Sequence, residues 1–123
     1  MLVRADVAES TQGFDESFHM YCEEIDWSWR VRESGWEIYA VPAAEIVHFS
    51  GESTRQIPAQ SMVNLWESRA RLYRKHHGRV RQTLASWLVR SRMAARARRA
   101  GDPALKAAYE HIAEVWSMNG KAG

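Results

Sequence analysis

The chain has 123 residues, of which 46% are hydrophobic and 26% are charged, and its formal net charge is +2. This length accommodates one compact domain and excludes two large ones, and the small net charge does not indicate a polyanionic partner. The single cysteine, Cys22, excludes an internal disulfide and lacks the Cys/His spacing of a zinc site. No stretch has the length and apolarity of a membrane-spanning helix, and the N-terminal residues lack the order of a signal peptide, so we expect a cytoplasmic protein.

The N-terminal segment opens with the apolar run MLV, which is typical of a buried strand. A domain seldom begins in this way, so we expect the chain to start inside a larger unit. A short helix is predicted over residues 6–11, before Gly13, and a second helix over residues 23–33, ended by Ser34-Gly35.

Two segments after the second helix alternate and carry β-branched and aromatic residues, as strands do. They are WEIYAV, residues 36–41, and EIVHF, residues 45–49, and Pro42 separates them. Strands among helices predict an α/β fold class, here an α+β fragment with few strands.

The remainder of the chain predicts three helices, separated by Gly78 and by the sequence AGDP. Asp102 is expected to be the N-cap of the third helix, with Pro103 in its first turn. The helical period gives each helix one apolar stripe. The three stripes consist of Met62, Leu65, Trp66, Ala70 and Tyr73; of Val80, Leu84, Trp87, Leu88 and Ala95; and of Leu105, Ala108, Tyr109, Ile112 and Trp116.

Three acids, Glu23, Glu24 and Asp26, lie at the start of the second predicted helix. Asp26 and Arg30 have the i, i+4 spacing of an ordinary ion pair, which contributes a few tenths of a kcal/mol, and the helix dipole accounts for Glu23. Glu24 is the least explained, because partial desolvation by the neighbouring Trp27 would suit it to accept a proton. Spacing alone favours the simpler interpretation, an acidic helix start.

The motif G-F-D-E-x-F-x-M-Y-x-E-E-x-D-W-x-W-R at residues 13–30 is followed by G-W-x-I-Y-x-V-P-x-A-x-I-V-H and by S-G-E-S-T. In this order the motifs resemble the C-terminal half of inverting family 2 glycosyltransferases, especially bacterial rhamnosyltransferase-like members that build cell-surface polysaccharide. The run LYRKHHG, residues 72–78, is similar to a basic helix end of such enzymes. The resemblance implies the acceptor-side part of a GT-A-type nucleotide-diphospho-sugar transferase fold over residues 1–58, and a three-helix C-terminal extension over residues 59–123.

The resemblance also implies roles for the acids. Glu24 takes the position of the general base that deprotonates the acceptor hydroxyl, where the family usually has aspartate. Asp26 matches the third acid of the motif, and with Glu23 it is expected to orient the helix and to contact the acceptor.

A metal and phosphate site is implied in the same way. His48 matches a histidine that in some members completes a divalent-metal site, and Gly51, Ser53 and Thr54 match a loop near phosphate oxygens, although an ordinary polar turn explains this loop almost as well. We expect Mn²⁺ or Mg²⁺ and a nucleotide-sugar in the complete enzyme, and no metal tightly bound to this chain. None of the four aspartates forms a D-x-D motif, so the resemblance implies that the donor half is missing and that the chain is inactive by itself.

Residues 79–100 contain seven arginines and no acid. This helix could lie on an anionic membrane surface, at the inner face of the membrane. Alternatively its apolar side packs on the domain and its basic face is solvated, which the sequence favours. No nucleic-acid-binding motif is present, so we expect no nucleic-acid partner.

The alternative function is a non-catalytic module that keeps the acceptor-half fold and binds a partner or a membrane surface. Because a missing donor half would leave apolar surface uncovered, we also expect a homodimer.

Overall fold

The computed structural model describes residues 1–45, 47 and 58–117. In this part of the chain the helices follow one another as α1 (Ala5–Ser10), α2 (Glu23–Glu33), α3 (Pro58–His76), α4 (Arg79–Arg99) and α5 (Pro103–Val115). None of these five helices has the length and apolarity needed to span a bilayer.

The predicted α/β fold is wrong for the residues that the structure describes, which form helices and contain no strand. Residues 36–41 pair with no other segment of the described chain, and their large side chains are exposed, Tyr39 to 75%. Of the second predicted strand only Glu45 and Val47 are described, and neither is in a strand. A strand is stable only beside other strands or against a packed face, and the described chain supplies neither to residues 36–41.

The helix ends follow their local signals. Helix α2 has the predicted bounds, and Gly35 after it adopts a φ of 87°, a conformation that glycine reaches without strain. Asp102 caps α5 as predicted, since its Oδ1 accepts a hydrogen bond from the Ala104 amide at 2.8 Å, and Pro103 occupies the first turn.

The largest core lies where α3, α4 and α5 meet. Its buried members are Ala70, Val89, Met93, Ile112 and Trp116. The indole nitrogen of Trp116 donates to the carbonyl of Trp66 at 3.1 Å, so its polar atom is satisfied within the core. The apolar stripe predicted for α5 is therefore the face that packs.

The opposite side of α3 packs on the N-terminal segment. Leu72 forms a small core with Phe18 and Cys22 from the loop before α2. Val7 of α1 packs on Trp27 and Val31 of α2 in a separate cluster. Helix α3 thus contacts α4 and α5 on one face and the loop before α2 on the other.

The packing face predicted for α4 is wrong. Val89, Met93 and Ala97 are buried, and these residues, spaced four apart, share one face of the helix. The predicted stripe is exposed instead, with exposed fractions of 75% at Val80, 62% at Leu84, 68% at Trp87 and 50% at Leu88. Both sides of α4 carry apolar residues, and α5 contacts the side where the residues are Val, Met and Ala.

This orientation of α4 makes a testable prediction about two of its apolar residues. Met93→Ala should lower the free energy of unfolding by about 2–5 kcal/mol, because Met93 is 2% exposed and its truncation leaves a cavity. Leu84→Ala, on the exposed side of the same helix, should change it by less than about 0.5 kcal/mol. Urea unfolding followed by circular dichroism measures both, and a larger loss for Leu84→Ala would contradict this orientation.

Candidate active site

The turn that leads into α2 has an unusual backbone. Tyr21 and Cys22 are consecutive non-glycine residues with φ of 69° and 68°. Such conformations cost about 1–3 kcal/mol each, so the surroundings must hold them, and they are frequent at functional sites. Ser68 of α3 donates from Oγ to the carbonyl of Met20 at 2.6 Å, and Cys22 packs on Leu72. Helix α3 therefore fixes the turn that places the acids at the start of α2.

Asp26 lies at the centre of a buried ionic cluster that joins α2 to α3. Its side chain is 0% exposed. Oδ2 accepts hydrogen bonds from Arg30 Nε at 2.9 Å and from Lys75 Nζ at 3.0 Å, and Oδ1 accepts from His76 Nε2 at 2.7 Å. Both carboxylate oxygens are therefore engaged inside the protein.

The electrostatics of this cluster favour the ionised carboxylate. Burial is the largest effect on the pKa of Asp26 and raises it, but hydrogen bonds from Lys75, His76 and Arg30 together outweigh burial, so the pKa is below its ordinary value. Burial lowers the pKa of Lys75, and its hydrogen bonds to Asp15 and Asp26 raise the pKa above the ordinary value. Asp26 is thus a permanently charged structural group near neutral pH.

Lys75 connects the cluster to the loop before α2. Its Nζ lies 2.7 Å from Asp15 Oδ2, and hydrogen bonds from Lys75 and from Ser17 hold the pKa of Asp15 well below its usual range. Asp15 belongs to the conspicuous G-F-D-E motif. The ion pair therefore ties this motif to the end of α3.

Arg30 connects the cluster to the end of α1. Besides Asp26, its guanidinium donates to the carbonyl oxygen of Thr11 and, at 2.6 Å, to that of Gly13. Trp27 donates from its indole nitrogen to Thr11 Oγ1 at 2.7 Å. Trp27 and Arg30, two residues of the motif on α2, thus dock the end of α1 on α2.

An aromatic wall borders the cluster on the α3 side. The rings of Trp29 and His76 stack with centroids 4.6 Å apart and an interplanar angle of 7°. The ring of His77 packs edge-on against the rings of Trp29 and Tyr73, with ring centroids 5.3 Å and 4.5 Å apart. Stacking fixes the imidazole of His76 in the orientation in which its Nε2 reaches Asp26.

The three acids of the motif have different environments. Asp26 is buried, Glu23 is half-buried and Glu24 is exposed. Glu23 Oε2 is shielded from solvent and has no hydrogen-bond partner among the residues that the structure describes. The expected desolvation of Glu24 by Trp27 is not observed in this part of the chain, since the Trp27 ring is buried against Phe14 and Thr11. The roles of Glu23, Glu24 and Asp26 in catalysis stay predictions.

The implied metal and phosphate residues, His48, Gly51, Ser53 and Thr54, lie outside the described residues. Within residues 1–45, 47 and 58–117, no three His, Cys, Asp or Glu side chains are grouped as a metal site requires. The described residues therefore provide no set of ligands that fits the expected divalent ion.

Sequence reasoning missed the importance of Lys75 and His76. The i, i+4 spacing of Asp26 and Arg30 predicts an ordinary ion pair, whereas the buried carboxylate has two more partners, 49 and 50 residues away in the sequence. The signal in the sequence is the basic run RKHHG, residues 74–78, at the end of α3. A Lys-His pair at a helix end is a suitable partner for an acid that cannot be solvated.

The lowered pKa of Asp26 predicts how stability depends on pH. Its stabilising contribution is present above the unfolded-state pKa of about 3.9 and is lost as pH falls through the lower pKa of the folded state. Near pH 7 the free energy of unfolding of the Asp26→Asn variant should therefore be about 3–5 kcal/mol lower than that of the wild type. This difference should shrink as the pH falls below about 4, because the wild type then loses the contribution of its ionised carboxylate.

Urea unfolding across this pH range measures the effect. Asp6→Asn is the matched control, because Asp6 pairs with Arg4 on the exposed surface, and its curve should follow the wild type closely. A constant offset between Asp26→Asn and the wild type at every pH would contradict the prediction.

Comparisons with known proteins place the chain near one group of enzymes. It is 30% identical over 96 residues to N-acetylglucosaminyl-diphospho-decaprenol L-rhamnosyltransferase of two Mycobacterium tuberculosis strains. The matched residues make up 78% of this chain and 31% of that protein. It is 36% identical over 55 residues to Rhamnosyltransferase WbbL of Escherichia coli K12, which covers 45% of this chain and 21% of that protein.

The chain thus spans less than a third of the length of these curated relatives. No protein-family model matches it, and no solved structure matches it significantly. The chain is therefore related to rhamnosyltransferase-like glycosyltransferases.

Proposed function

We propose that the chain forms the acceptor-side part of a family 2-like glycosyltransferase. The complete enzyme transfers a sugar from a nucleotide-sugar donor to a hydroxyl of a saccharide or lipid-linked acceptor, with inversion at the anomeric carbon. Rhamnose is the proposed sugar, because both relatives carry rhamnosyltransferase in their names. A lipid-linked acceptor is suggested by the mycobacterial relative, whose name specifies a diphospho-decaprenol.

The observation that carries the proposal is the different exposure of the three acids on one rigidly held helix start. A general base must be within hydrogen-bond reach of the proton that it removes. Asp26 is excluded from this role because both of its oxygens are engaged and its side chain is 0% exposed. Glu23 has one oxygen shielded from solvent. Glu24 is the acid whose carboxylate is open to an incoming acceptor.

Glu24 then acts as the base in a single displacement. Its carboxylate takes the proton of the acceptor hydroxyl while the hydroxyl oxygen forms a bond to the anomeric carbon of the donor sugar. The bond from that carbon to the nucleotide diphosphate breaks, and the leaving group departs with the electron pair. Attack from the face opposite the leaving group inverts the configuration.

The side chain of Glu24 is longer by one methylene than the aspartate of the family pattern. This places the carboxylate about one bond length further from the backbone of α2. Because Glu24 is exposed, its side chain can take up this difference by a change of rotamer.

Asp26 and its partners act on the orientation of Glu24 and do not contact the reacting atoms in this proposal. The ion pairs with Lys75 and His76 set the position of the first turn of α2 relative to α3. A divalent ion on the donor diphosphate is proposed for the complete enzyme, with His48 as a candidate ligand, and no step above depends on it.

The role of Glu24 is testable in a chimera in which this chain replaces the matched segment of the Escherichia coli relative. Glu24→Gln should lower the turnover number for rhamnosyl transfer by about 10²-fold or more, the usual effect of losing a general base. Glu24→Asp should retain or increase the rate, because it restores the residue of the family pattern. Initial rates at saturating donor and acceptor measure both.

Two variants serve as controls in the same chimera. Glu33→Gln removes an exposed carboxylate from the other end of α2 and should leave the rate unchanged. Glu23→Gln should have a small effect, since a charge at a helix start contributes under about 1 kcal/mol. Equal turnover of the Glu24→Gln chimera and its parent would remove Glu24 from the mechanism.

A further inference from the structure

The outward side of α4 combines exposed apolar side chains with a high density of positive charge. Val80, Leu84, Trp87 and Leu88 are each at least half exposed. With about 100° of rotation per residue, these four side chains lie within an arc of about 100°. The buried residues Val89, Met93 and Ala97 lie on the opposite side of the helix. We call the four exposed residues the outer stripe.

Arginines flank the outer stripe on both sides. By the same helical geometry, Arg81, Arg92 and Arg99 lie within about 40° of one edge of the arc, Arg79 and Arg90 lie about 60–80° beyond the other edge, and Arg98 falls within the arc, about five turns after Val80. All six are exposed. The apolar centre and basic edges are the arrangement of a helix that lies in the plane of a lipid surface, with apolar groups toward the acyl chains and cations at the headgroups.

The charge of α4 is not neutralised within the described part of the protein. The salt bridges found there involve Arg4, before α1, and cations of α2, α3 and α5, and none of the seven α4 arginines. Arg96 instead lies over the Tyr109 ring, with its guanidinium carbon 5.9 Å from the ring centroid. The arginines at the edges of the outer stripe are therefore available to anionic headgroups.

We propose that α4 binds the surface of a bilayer that contains anionic lipid, with the outer stripe inserted between the headgroups. A second copy of the chain fits less well, since apposing two such helices would place unneutralised arginines of both copies close together. Nucleic acid fits less well, because a polyanion offers no apolar layer for Leu84, Trp87 and Leu88. This inference does not rest on the proposed function.

The test is co-sedimentation of the full chain with vesicles of phosphatidylcholine alone or mixed with an equal amount of phosphatidylglycerol. We expect binding to the mixed vesicles and little to phosphatidylcholine. The double variant Leu84→Ser, Trp87→Ser should weaken binding at least about 10-fold, because it removes the inserted groups. Both residues are exposed, so its thermal unfolding should match the wild type.

A matched apolar control is Ile38→Ser, Tyr39→Ser, which removes two exposed apolar side chains from another part of the surface. This variant should bind as the wild type does. Equal weakening by the two double variants would overturn the proposal, since the effect would then not be specific to α4.

The contribution of positive charge to vesicle binding is measured with one triple variant, which combines Arg81→Gln, Arg92→Gln and Arg99→Gln. Each arginine near an anionic surface strengthens binding about 5-fold, so the triple variant should bind about 100-fold more weakly. Its control, Arg4→Gln, Arg32→Gln, Lys106→Gln, removes the same charge elsewhere and should have a much smaller effect. Similar losses for both triple variants would overturn the assignment of α4.

A second readout does not depend on comparing affinities. Lipid carrying a nitroxide on its acyl chain should quench part of the tryptophan fluorescence of the bound wild type, and Trp87→Phe should lose that part while still binding. Unchanged quenching in Trp87→Phe would overturn the insertion of the outer stripe. The proposal also fails if the chain binds neither kind of vesicle, whether or not it binds DNA or self-associates through α4.

Discussion

The burial of one carboxylate controls how the N-terminal segment is attached to the rest of the molecule. An isolated carboxylate removed from water is strongly destabilising, so Asp26 requires cations that stay in place. Arg30 comes from its own helix, whereas Lys75 and His76 come from α3. Separating α2 from α3 would leave the carboxylate without two of its partners, so the two helices are held in one relative position.

Around this link α3 performs two kinds of packing. One face contributes Ala70 to the core with α4 and α5, and the other contributes Leu72 to the core under the loop before α2. The stacked rings of Trp29 and His76 continue the contact from α2 to α3. The exposed acid of the motif, Glu24, is thereby carried on a helix start whose turn, core and ion pairs are all anchored on α3.

The sequence predicted those features that depend on local signals. The bounds of α2 follow from Ser34-Gly35, and the start of α5 follows from Asp102 and Pro103, because caps act within one turn. The prediction of strands was wrong because a strand is stable only beside a partner strand or a packed face, and a local sequence pattern does not show whether such a partner is present. The packing face of α4 was wrong because the larger apolar residues were assumed to be inside, while α5 selected the face of Val89, Met93 and Ala97. The partners of Asp26 on α3 were missed because they are distant in the sequence.

The most direct test of this account is a double-mutant cycle between α2 and α3, with Asp26→Asn and His76→Gln measured singly and together by urea unfolding at neutral pH. The account predicts a coupling free energy of about 1–3 kcal/mol, because the two side chains share a buried hydrogen bond of 2.7 Å. The same cycle with Glu24→Gln in place of Asp26→Asn should be additive. Additivity within about 0.5 kcal/mol for Asp26 and His76 would contradict the claim that this buried pair holds α2 on α3.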